Sequence, residues 1–304
     1  MSSTPGELLS NHDGKYGAVC DMENGSNTNG MNIGSDSNGS GDSDSSNNIT
    51  HGLLGNWTIA DFGNVGELSR DGSPHATDEV INASSHLAAS MFSLLGSVLL
   101  IAESSAQGAP WKIVSFAIYG ASLIFLFVAS TLHHSIIGSP ELVQFLRMID
   151  YFAIYPLIAG TFTPLCLVFY NNSVIGWSFV AVVWFLSGVG MLLTVQMFQK
   201  LPKWLSMTFY ITIGWIGAFM AKWLMPVIGA EGMGVFVLGG VLYTVGGAIY
   251  SAEKPNPIPG KFGFHEIWHI FVILAAATHW CLMYFFVLPW HHPDENYGDN
   301  LDDN

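Results

Sequence analysis

Phe264-His265-Glu266-Ile267-Trp268-His269-Ile270-Phe271 opens the last long apolar run of this chain, and its reading decides what kind of protein this is. Residues four apart share one helix face about a turn apart, so both imidazoles can turn a nitrogen toward a single divalent ion. Read literally, the run is also H-E-x-x-H, a pattern in which the glutamate is the general base of a zinc protease. Downstream the sequence stays apolar to about residue 289. A helix needs roughly 20 such residues to cross a hydrocarbon core of about 30 Å, so the stretch predicts a membrane span with two histidines at its entrance.

Working outward, six more runs of that length precede it, near 81–102, 113–134, 149–170, 174–196, 204–224 and 232–251. Turn-forming breaks separate them: Gly108-Ala109-Pro110, Gly138-Ser139-Pro140, Asn171-Asn172, Lys200-Leu201-Pro202-Lys203 and the proline-rich 255–260. These breaks are short, so successive helices should be antiparallel neighbours. Gly and Ser along the fourth, fifth and sixth runs suit close helix approach. With 50% hydrophobic and 11% charged residues over 304 positions, the composition excludes an ordinary soluble domain. The expected fold class is all-α: a polytopic membrane protein with seven transmembrane helices over 79–292.

The formal charge of −14 belongs to the ends of the chain, not to this domain. Residues 1–79 hold 12 acids against Lys15 and Arg70, and residues 294–304 hold five acids and no base, leaving 6 acids and 7 bases between. Rich in Ser, Asn, Gly and Asp, residues 1–78 cannot bury enough apolar surface to offset ordering entropy and are expected to form a disordered acidic tail. Residues 293–304 make a second, short acidic tail. The expected partners are bilayer lipids and not nucleic acid. Cys20, Cys166 and Cys281 form no disulfide or metal framework. No short apolar segment follows Met1, so the first span is expected to direct insertion.

Orientation follows from Lys and Arg near the span ends. The N-terminal tail and the breaks after the second, fourth and sixth runs carry Arg70, Arg147, Lys200, Lys203, Lys254 and Lys261, whereas the other side has Lys112 and Lys222. This asymmetry predicts a cytosolic N-terminus and an extracellular or lumenal C-terminus. The Asn-x-Ser/Thr triplets at Asn24, Asn38, Asn48 and Asn56 would then go unglycosylated.

Ionisable residues inside spans are costly and mark sites. Glu79, Asn82 and His86 lie on one stripe at the start of the first span. Ser130 and His134 share a face at the end of the second, with His133 roughly 100° away. Arg147 and Asp150 open the third span, and His265 and His269 open the seventh. Alternating crossings put all four clusters at one depth, near the cytosolic face.

These motifs carry a resemblance. Glu79-x-x-Asn82-x-x-x-His86, Ser130-Thr131-Leu132-His133-His134, Ile149-Asp150-Tyr151 through Ile158-Ala159-Gly160-Thr161-Phe162-Thr163-Pro164, and His265-x-x-x-His269 followed by Ala275-Ala276-Ala277-Thr278-His279-Trp280 resemble those of the hemolysin III family. That family stands with the progestin and adipoQ receptors (PAQR) in a wider group that includes alkaline ceramidases. The likeness runs from about Glu79 to Trp290. His133 stands where the familiar motif has Tyr. The resemblance implies a zinc ion held by His134, His265 and His269, with Asp150 and Ser130 close to its water, and Glu79, Asn82 and His86 supporting the same layer. Three imidazoles and a water make an open, catalytic type of zinc site.

Plainer roles compete for each residue. Asp150 can pair with Arg147 a turn away, Ser130 and Thr131 can bond the carbonyl a turn back, and Glu79 can simply favour a helix N-terminus. His279 is expected to be a buried hydrogen-bonded histidine. Three functions follow: a zinc-dependent hydrolase of a lipid amide or ester such as a ceramide-like molecule, a seven-helix receptor or sensor with structural zinc, and an intramembrane protease using Glu266. The last lacks the additional Leu-Asp-Gly ligand motif, and the hydrolase is favoured because a carboxylate beside an open tris-histidine zinc is poised to activate water.

Overall fold

The structure is a computed structural model that describes residues 79–291 apart from 199, 259 and 260. The two expected tails, with the triplets of the first, lie outside the described residues. Within them the chain is helical and has no strand: α1 (Glu79–Ala106), α2 (Pro110–Ser135), α3 (Pro140–Tyr170), α4 (Val174–Met197), α5 (Lys203–Trp215), α6 (Gly217–Ala252) and α7 (Phe264–Leu282), which runs on into a π-helical turn, Met283–Val287. Helix starts follow local chemistry. Pro110 and Pro140 sit in the first turns of α2 and α3, where a missing N–H costs nothing. The Ser139 hydroxyl accepts from Leu142 N, and that of Ser173 accepts from Ile175 N at 3.2 Å to open α4. Capping at Ser139 starts α3 nine residues before the apolar run at 149, so Asp150 lies inside a formed helix and not at its fraying end.

By length and composition, six helical stretches among the described residues suit a membrane crossing, one of them the 50-residue Lys203–Ala252. The fifth and sixth apolar runs, expected as separate helices, fall within that one stretch, because no polar loop parts them. Its backbone tightens into a turn at Ile216, which keeps helical dihedrals, and departs from the α-helix at Gly229 (φ 66°, ψ −177°). Only glycine takes such a conformation without strain.

Consecutive helices pack side by side, and α7 returns to α1. The centre is α3, in which every residue from Ala159 to Phe169 is buried. Gly190 of α4 lies so close to the ring of Tyr155 on α3 that a Cβ there would clash, the close approach that small residues allow in membrane helices. Interior hydroxyls mostly satisfy themselves on their own helix: Ser93, Ser97 and Ser104 donate to the carbonyls of Ala89, Ser93 and Leu100 at 2.6–2.7 Å.

At the opposite end of α2 from His133 and His134, Lys112 is buried and donates to Leu288 O at 2.8 Å and to Gln107 Oε1 at 2.5 Å. An ammonium at the end of the last helix answers carbonyls that have no intrahelical partner. Lys112→Met is expected to lower stability in detergent by about 1–3 kcal/mol, the cost of stranding a buried acceptor. An unchanged thermal midpoint would remove Lys112 from the clamp.

Candidate metal centre

The first turn of α7 is fixed from three sides. Gly263 N donates to Glu266 Oε2 at 2.7 Å, Asn82 Nδ2 of α1 donates to Glu266 Oε1 at 3.1 Å, and Phe264 N donates to Asn256 Oδ1 at 3.1 Å. Glu266 is 1% exposed with both oxygens engaged, so it caps α7 and ties it to α1. This binding orients His265 and His269 of the same helix toward the end of α2. Glu266→Gln is expected to cost about 1–2 kcal/mol of stability through the weakened cap while metal content is retained. Loss of all activity with both metal and stability intact would make Glu266 the base instead.

His134, near the C-terminus of α2, meets α7 directly. Its Nε2 lies 3.3 Å from His265 Nε2, and ring centroids stand 4.9 Å apart for His134 and His269 and 4.8 Å for His265 and His269. One donor atom from each of the three lies within 4.8 Å of the other two, and all three residues are buried, a set able to hold a metal ion. Nδ1 of His134 faces Glu79 Oε2 at 2.5 Å. An ionised carboxylate only accepts, so this contact puts the proton on Nδ1 and leaves the Nε2 lone pair directed to the centre. The ring of His86 stacks on His269 at 3.8 Å and 17°.

Ser130, Asp150, His86, His265 and His269 line one chamber of about 50 Å³. The Ser130 hydroxyl is buried and has no hydrogen-bond partner among the described residues, whereas Thr131 bonds Phe127 O at 2.7 Å. The carbonyl-bonded alternative therefore describes Thr131 and not Ser130. A buried hydroxyl that bonds no carbonyl and lies beside the Asp150 carboxyl is placed to meet a water or ligand there. The guanidinium of Arg147 lies over the rings of Phe198 and Tyr151 at 5.2 and 5.7 Å.

The chamber shares Ile154, Leu157, Met207, Tyr243 and Trp268 with a larger apolar cavity of about 270 Å³ between α3, α5, α6 and α7. The far wall includes the outward-facing Trp215 and Val237. His279 also lines it, with Nε2 3.2 Å from Phe236 O, the buried and bonded histidine the sequence suggests. His133 departs from its helical-wheel direction: it is 1% exposed and forms, with His134 and Asp150, a second group whose donor atoms lie within 4.8 Å of one another. Adjacent residues at a helix terminus can reach one centre from different sides, which a wheel projection does not convey. The Glu79–His134 contact has a fainter signal in sequence, a carboxylate and an imidazole at the same expected depth.

Fold and centre together define a class, a multi-pass integral membrane protein with three buried imidazoles able to hold a metal in one layer. Residues 75–280 match the family described as Haemolysin-III related, and the chain belongs to that family, within the hemolysin III and PAQR group. It is 32% identical over 212 residues to Hemolysin-3 of Bacillus cereus, covering 70% of this chain and 93% of that protein. Against the Hemolysin-3 homolog of Bacillus subtilis (strain 168) the identity is 35% over 211 residues, 69% of this chain and 95% of that one. The Adiponectin receptor protein of Drosophila melanogaster is 30% identical over 191 residues, 56% and 41% of the two chains.

Proposed function

We propose that this protein is a zinc-dependent hydrolase that cleaves the amide or ester of a membrane lipid, a ceramidase-like reaction. The observation that carries the reading is the shared wall between a small chamber into which Ser130, Asp150 and the imidazoles of His86, His265 and His269 project and an apolar cavity reaching the outward face of the helices. The donor set fits zinc. With Zn–N bonds of about 2.0–2.1 Å, the edge of a tetrahedron is roughly 3.3 Å, and His134 Nε2 and His265 Nε2 stand 3.3 Å apart.

His134, His265 and His269 would hold the ion. The chemistry zinc supplies when bound is Lewis acidity, which polarises a carbonyl and brings the pKa of a water to about 7. Asp150 lies in the chamber to hold that water and take up its proton. Ser130, whose hydroxyl lies beside the Asp150 carboxyl, orients Asp150 or the water. Glu79 keeps His134 in the tautomer that presents Nε2, the carboxylate-to-histidine support usual around metal ligands. Asn82 acts through Glu266 to set the position of α7, and His86 backs the ring of His269. A lipid's acyl chain fills the apolar cavity while its carbonyl enters the chamber.

An unbroken helix over Lys203–Ala252 would run roughly 75 Å at 1.5 Å per residue, more than twice a hydrocarbon core of about 30 Å. The break at Gly229 supports two crossings there, hence seven in all and termini on opposite sides; the Lys and Arg asymmetry then favours a cytosolic N-terminus and an extracellular or lumenal C-terminus. An N-terminal tag reached by antibody on intact cells that carry the protein at their surface would contradict that orientation.

A receptor or sensor with structural zinc is the second reading, favoured by the likeness to a protein named as an adiponectin receptor. Mass spectrometry of N-acyl and O-acyl lipids incubated with the purified protein separates the two. The hydrolase releases free fatty acid from one of these classes in proportion to protein added, and zinc-loaded protein that binds such lipids without cleaving either class would favour the receptor.

A further inference from the structure

Resting on the metal reading above, we propose that the ion has a second position beside this chamber, held by His133, His134 and Asp150, through which it exchanges with the surroundings. The donor atoms of these three residues lie as close together as those of the tris-histidine set, within 4.8 Å, and the two sets share only His134. The second set is carried wholly by α2 and α3, whereas α7 supplies two of the three ligands of the first. An ion moving between them therefore trades His265 and His269 for His133 and Asp150 while keeping one bond.

Access decides the direction of traffic. All three histidines of the first set are buried, and so is His133; Asp150 alone among the five residues is partly exposed. On this proposal that carboxylate is the ion's point of entry. Two imidazoles and a carboxylate make a ligand set that zinc accepts in catalytic sites and that also suits harder divalent ions, which favour carboxylate oxygen. The positions are alternatives for one ion, because both draw on the ring of His134, whose Nδ1 faces Glu79. His133 thereby gains a role distinct from that of its neighbour: it serves loading and release, not the resting centre.

Two measurements on the full-length protein test this. In His265→Ala/His269→Ala, visible absorption during a Co²⁺ titration should show residual binding, weaker than native by more than about 100-fold because two ligands and not merely supporting groups are lost, and this binding should vanish when His133→Phe is added. Co²⁺ binding that survives His133→Phe, or is absent from a double variant that remains helical and monodisperse, overturns the proposal. In the otherwise native chain, zinc release from His133→Phe to a chromophoric chelator should be about tenfold slower than from the native protein, the scale on which partners of metal ligands act. Unchanged or faster release overturns the second position even if the double variant does not fold. A native protein that takes up no zinc at all marks failure of the tris-histidine reading instead.

Discussion

His269→Ala is expected to leave the purified protein without its zinc, with affinity down at least about 100-fold, beyond the 10–100-fold typical of groups that only support a ligand. In the proposed site His269 would supply one of three nitrogens, and it is also the surface on which His86 stacks, so the substitution would remove a ligand and open a buried void. Stability should fall with metal loss. A site occupied at 100 times its dissociation constant contributes about 2.7 kcal/mol to the folded state, and that contribution disappears from the variant. His265→Ala should behave alike, because its Nε2 faces His134. Full zinc occupancy in the variant lacking both imidazoles would end the tris-histidine assignment.

The second large effect is expected at Asp150. Asp150→Asn keeps the side chain's shape and leaves all three imidazoles of the first set in place, so about one zinc per chain should remain bound. Turnover of the lipid substrate should fall by roughly 10²–10⁴, the usual worth of a positioned general base. The split between retained metal and lost activity separates a proton-handling role from a ligand role in the resting centre. Unchanged turnover would remove Asp150 from the mechanism, and loss of the zinc would make it a permanent ligand.

Much of this arrangement is legible in the chain itself. Apolar runs of spanning length mark the membrane class, and their alternation puts the ends of α2 and the starts of α1, α3 and α7 in one layer, where the structure brings Glu79, His134, Asp150, His265 and His269 together. The one-dimensional reading works here because span length and crossing parity depend only on sequence distance. It is weaker where tertiary contact decides. The H-E-x-x-H pattern shows Glu266 beside two histidines, but the pattern does not reveal that Asn82 and Gly263 occupy both its oxygens. Helical periodicity points His133 away from its neighbour, yet packing of α3 against α2 brings Asp150 to it. Gly229 is one of many glycines in the sequence, and only the backbone marks it as the place where a 50-residue helical stretch is interrupted.

Anomalous diffraction at the zinc edge from crystals of the full-length protein grown in lipid tests the central claim most directly. The account predicts one peak bounded by His134, His265 and His269, with acyl density in the cavity and a carbonyl turned toward the chamber. Absence of a peak there in protein shown to contain zinc, or a peak coordinated by Glu266, would contradict it.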